Sequence, residues 1–101
     1  MMSQERKCTI FEHTLEIVAR ESEIPAADIL SHKRTDEIVD ARYIFVYLLC
    51  RRGFYASAIA DRMHFTRSSI SYILANFDNR RHLGGAIFEN ILRNSLCGIV
   101  K

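Results

Sequence analysis

Apolar residues recur along this chain at spacings of three and four rather than two, a pattern that predicts helices from end to end. Phe11, Leu15 and Val18, with Ile10, Thr14 and Ile17 beside them, give an i, i+4, i+7 stripe and an amphipathic helix over about residues 4–22. Pro25 suits a first helical position, where its missing N–H costs nothing, so a short helix is expected over about 25–30. Ser31-His32-Lys33-Arg34-Thr35 is a polar, basic loop. Asp36 to Arg52 follows, with Asp36 or Thr35 to cap its start and Glu37 in its first turn. The run from Ile44 to Cys50 is apolar all round; alone it also fits a buried strand, but the long frame and the closing Gly53 predict a central buried helix. Asp78-Asn79-Arg80-Arg81-His82 has the composition of a frayed, charged helix end, and Gly84-Gly85 that of a stop. Ala86-Ile87-Phe88, Ile91-Leu92 and Leu96 predict a last amphipathic helix ending near Gly98.

Between these, residues 55–77 carry the spacing of a helix-turn-helix, two short helices crossing over a turn of three or four residues. Ile59 and Met63 face inward on the first helix, and Ala60 supplies the small residue that the crossing point needs. Ile70, Ile73, Leu74 and Phe77 give i, i+3, i+4, i+7 on the second, and Thr66 sits where an N-cap belongs. The turn position usually held by Gly is His64, so a left-handed backbone is expected there at some cost. The outer face of the second helix carries Ser68, Ser71, Tyr72 and Ala75, with Arg67 at its leading end. A small, polar face of this kind suits insertion into a major groove about 12 Å wide. Arg67 can reach guanine O6 and N7. Ser68 and Ser69 can bond a base edge or a phosphate, and the positive helix N-terminus also favours a phosphate. Ser57, at the start of the first helix, joins the candidate DNA contacts. The plain alternative is a helical hairpin that only packs.

The chain of 101 residues is enough for one core, so residues 1–101 are read as a single domain, an all-α bundle of about six helices. One Pro and four Gly argue against a fold of many tight β turns. No apolar run approaches the roughly 18 residues of a membrane span, and the first residues lack the apolar stretch of a signal peptide. Cys8, Cys50 and Cys97 are odd in number and form no CxxC, so reduced thiols in the cytoplasm are expected, with Cys50 in the core. The net charge of +2 is unevenly spread: residues 1–30 carry three basic and six acidic side chains, residues 31–84 nine and five. A basic middle is the usual footprint of a nucleic-acid contact, although an excess of four charges is also common on solvated surfaces.

At this level of detail the chain resembles the C-terminal DNA-binding domain (domain IV) of the bacterial replication initiator DnaA, whose fold groups with the Trp repressor. The resemblance covers nearly the whole chain: Ile17-Val18-Ala19, Ala27-Asp28-Ile29-Leu30-Ser31 and Lys33-Arg34, then Val39, Ala41-Arg42 and Leu48, then Ile59-Ala60, and Arg67-Ser68-Ser69-Ile70 where the family has His-Thr-Thr-Val. It implies that Arg34, with Lys33 in the same basic loop, enters the minor groove and that Arg42 contacts a backbone phosphate. It also implies that Thr66 and Arg67 replace the family's base-reading Asp and His, that Ser68 and Ser69 replace its two Thr, and that Tyr72 stands where it often has His. Replacing Asp-His by Thr-Arg changes acceptor to donor chemistry, so the family's standard target box is not carried over. Asp36, Glu37 and Asp40 follow the basic loop where the family tends to be basic, and they would repel phosphate if they faced it.

Other chemistry is thin. There is no GxxxxGK[ST], hence no nucleotide-hydrolysing part, and no cofactor is implied. Asp61 and His64 lack further metal ligands nearby, and no enzymatic constellation stands out. Tyr43, Tyr47, Tyr55, Phe45 and Phe54 read as core before they read as a stacking platform. Arg51-Arg52 fits a phosphate contact or a helix C-terminal charge equally well. The expected function is sequence-specific binding of double-stranded DNA in replication initiation or transcriptional regulation, by a module acting alone or as a piece of something larger. The alternative is a protein-interaction module that keeps the fold without specific DNA binding. A single small module buries only about 600–1,000 Å² on DNA, so high affinity needs a homo-oligomer, an array of sites or a larger partner.

Overall fold

The computed structural model describes residues 4–100, whose regular structure is entirely helical. Six helices follow one another: α1 (Gln4–Ser22), α2 (Ala26–Ile29), α3 (Asp36–Arg51), α4 (Ala56–Met63), α5 (Arg67–Ala75) and α6 (Phe77–Val100). The expected all-α bundle is what forms, and none of its helices is long and apolar enough to cross a membrane.

Helix α3 runs through the middle, with α1, α2, α4, α5 and α6 all packed against it. Its burial follows from the apolar run: Ile44, Phe45, Val46, Leu48 and Leu49 are enclosed, and Phe45 meets Phe11 of α1 edge-on at 5.2 Å. The run does not close completely, since Cys50, expected in the core, is exposed, as are Cys8 and Cys97. Cys50 falls outside the enclosed arc of α3, where apolar character alone cannot bury it. Tyr55, counted with the core aromatics, is also exposed, whereas Phe45 and Phe54 are buried.

Several boundaries move by physical causes visible in the backbone. Pro25 is the N-cap of α2 rather than its first helical residue: its ψ of 140° is extended, while its carbonyl accepts from Asp28 N and Ile29 N. Thr35 holds the N-cap position of α3 without a side-chain cap bond, and Arg52 closes the helix as C-cap. The larger correction concerns residues 78–82. They are not the frayed end of α5, which stops at Asn76, but the opening of α6. Phe77 therefore belongs to α6. It is buried all the same, stacked on Tyr47 at 4.0 Å and edge-on to Phe88.

Gly84-Gly85 interrupts the helix, as expected. At Gly85 φ is 59° and ψ −143°, which is non-helical, so α6 consists of two helical segments joined across a kink, and the second runs past Gly98 to Val100. Glycine meets that left-handed φ without the steric cost of a Cβ. Gly84 is needed for another reason: a Cβ there would lie 2.5 Å from Cβ of Phe88. The bend lets Phe77 and Phe88 enter the same core, and Arg81 with Glu89 spans it as an ion pair.

Candidate nucleic-acid interface

Helices α4 and α5 pack on each other across a turn of three residues, His64, Phe65 and Thr66. His64 adopts the left-handed backbone expected of it (φ 59°, ψ 40°), and Phe65 N donates back to the Ala60 carbonyl at 2.9 Å. Ile59, Ala60 and Met63 are buried on one side of the junction, Ile70 and Ile73 on the other. Thr66 caps α5: its hydroxyl accepts from Ser69 N at 3.0 Å and donates to Ser69 Oγ at 2.8 Å. The Thr66 hydroxyl is thus committed to the fold, while the Ser69 hydroxyl keeps its own proton to donate. Arg67, Ser68, Ser69, Ser71, Tyr72 and Ala75 are all exposed.

The basic loop lies against this turn. His32 stacks on Phe65 with ring centroids 4.3 Å apart, and the Arg42 guanidinium stands 5.7 Å from the centre of the same ring. The contact opens a cleft of about 490 Å³ between loop, α3 and α5, whose rim carries Arg34, Ser68, Ser69 and Tyr72 over a floor that includes Val39 and Ile73.

The residues singled out from the sequence do not all converge here. Arg34, Arg42, Ser68, Ser69 and Tyr72 line the cleft; Thr66 and Arg67 adjoin it at the head of α5; Lys33 and Ser57 do not line it. Lys33 is exposed but pairs with Asp28 at 2.9 Å. Ser57 is exposed at the second position of α4. Arg42 differs most from its expected role as a phosphate contact. It is only 5% exposed, and its Nε and Nη2 donate to the carbonyls of Ile29 and Asp28 at 3.0 and 3.3 Å. It ties down a four-residue helix too short to support itself. Burial works against the Arg42 charge and neighbouring Arg34 adds repulsion, so its pKa falls below the usual guanidinium value. By contrast, neither Arg34 nor Arg67 is in an ion pair among the described residues.

Comparison with family models, curated proteins and solved structures finds no match.

Two parts of the site were not legible beforehand. Arg80 of α6 donates to Asp40 at 2.6 Å and to the Asp36 carbonyl at 3.2 Å, and reaches the Asp36 carboxylate at 3.5 Å. Burial opposes the charge on Arg80, but the bonds and charges of Asp40 and Asp36 outweigh it and raise its pKa. Two of the three acids that would repel phosphate are thus countered from a distant helix. Tyr43, grouped with the core aromatics, is half-buried and lines the cleft. Burial pushes its phenol up, Tyr72 beside it pushes the same way, and Arg80, Arg34 and Arg42 pull it back. Arg51 and Arg52, by contrast, are occupied within the fold: Arg51 bonds the Tyr47 hydroxyl, and Arg52 the Thr14 hydroxyl and the His13 ring.

Proposed function

We propose that this chain binds double-stranded DNA in a sequence-specific way, with α5 in the major groove and the loop of residues 31–35 beside it. One juxtaposition carries the reading. The exposed outer face of α5 offers Arg67 and small hydroxyl side chains, while Arg34 stands across an open cleft from the same helix. Arg67 is the base reader, suited to guanine O6 and N7. Ser68 contacts a base edge, Ser69 donates to a phosphate, and Arg34 neutralises the backbone or enters the neighbouring minor groove. The resemblance to the DnaA C-terminal domain supports a role in replication initiation or transcriptional regulation, in the cytoplasm.

The test is fluorescence anisotropy at two salt concentrations, with a labelled random duplex pool and a duplex bearing the initiator family's standard box. A binder neutralising about four phosphates loses affinity with a log–log slope near −3.6. Arg67→Ala is expected to cost about 1–3 kcal/mol and to abolish base preference at one position. A second reading, a protein-interaction module, draws on Leu83 and Ile87 beside the α6 bend, which are 71% and 72% exposed. Absence of binding to either duplex at low salt would favour it.

A further inference from the structure

The outer face of α5 is not uniformly polar. Ile70 and Ile73 point into the core, so the direction opposite them is occupied by Ser68 and Ala75, with Ser71 on one flank and Tyr72 on the other. The Tyr72 flank is the one turned toward Arg34 and the cleft. Tyr72 is 63% exposed, the one large apolar group on a face otherwise built of small side chains. Its backbone carbonyl accepts from Asn76 N and Asn76 Nδ2, which fixes the helix end just beyond it.

Resting on the reading of α5 as a major-groove helix, we infer that Tyr72, with the Ala75 methyl beside it, recognises the C5-methyl group of a thymine. That methyl is the apolar group that a thymine presents in the major groove, and it distinguishes thymine from every other standard DNA base. Tyr72 lies five residues beyond Arg67, about 7.5 Å along the helix axis. At about 3.4 Å per base step along a strand, this puts the thymine roughly two steps from the base that Arg67 reads. The ring faces the groove wall on the Arg34 side, so phosphate neutralisation by Arg34 and methyl recognition by Tyr72 act on neighbouring nucleotides. The phenol hydroxyl is not required; the ring surface does the selecting.

The experiment enriches a duplex from a randomised pool with the wild-type chain, then replaces each thymine of that duplex by deoxyuridine, one at a time, and measures affinity by anisotropy. One replacement is expected to weaken wild-type binding about fourfold, the effect of one methyl group removed from an apolar contact. Tyr72→Phe keeps that sensitivity. Tyr72→Ser binds with no difference between thymine and deoxyuridine at that position, and its helical circular dichroism stays that of the wild type because the side chain is exposed. Enrichment of a duplex whose every deoxyuridine replacement is neutral overturns the inference and leaves DNA binding standing. Equal sensitivity in Tyr72→Ser and wild type does the same. A pool that is neither bound nor enriched at low salt overturns the DNA-binding reading, and this inference with it.

Discussion

Replacing Arg42 by Met separates a structural role from a DNA-contacting one at a single position. Methionine keeps most of the apolar stem and removes the guanidinium. The variant loses two hydrogen bonds from a charged donor, to the carbonyls of Ile29 and Asp28, and the cation beside Phe65. Bonds involving a charged group contribute about 1.5–3 kcal/mol each, giving about 3–6 kcal/mol in gross terms. Against this, the variant no longer buries a charge that is disfavoured by desolvation and by Arg34, an offset on the order of a few kcal/mol. The net expectation is a loss of about 2–3 kcal/mol, which for a domain of this size lowers Tm by roughly 10–20 °C. Thermal and urea unfolding followed by circular dichroism measure it. At a temperature where both proteins are folded, DNA affinity should fall less than in Arg67→Ala. A Tm within about 3 °C of wild type, together with a loss of affinity matching Arg67→Ala, would refute the capping argument and return Arg42 to the phosphate.

Four further perturbations follow from the backbone and the charge network. His64→Gly relieves a left-handed residue at a helix C-terminus and should stabilise the chain by about 1 kcal/mol in urea unfolding. Gly84→Ala should cost about 1–3 kcal/mol by forcing a Cβ against Phe88, measured in the same way. Gly85→Ala, with open space around it, should cost about as much through its φ of 59°. Arg80→Ala uncovers Asp36 and Asp40 beside the basic loop, so affinity for DNA should drop at low salt and the difference from wild type should shrink as salt is added.

What could be read in advance was whatever depends on spacing along one element. The burial of Ile59, Ala60, Met63, Ile70 and Ile73 follows from position in a helical turn, and the cap at Thr66 and the left-handed His64 follow from the chemistry of helix ends. What escaped was set by contacts between elements far apart in the chain. Nothing near Arg42 announces that the carbonyls of α2 will come to it, nothing near Arg80 announces Asp40, and His32 and Phe65 are separated by the whole of α3 and α4. The α6 boundary was missed because charged residues at 78–82 resemble a solvated helix end. The glycine pair does break the helix, and the burial of Phe77 and Phe88 on either side of the kink holds the two segments in one core.

The stack of His32 on Phe65, with Arg42 beneath, joins the loop before α3 to the turn before α5. Its consequence is metrical. If α5 binds DNA as proposed, its offset from the loop is set when the chain folds, so little ordering entropy remains to be lost on contact. On that reading the chain would measure a duplex as a fixed gauge does. Selected duplexes should share one contiguous word of constant length, and inserting a single base pair inside that word should weaken binding as severely as changing a contacted base.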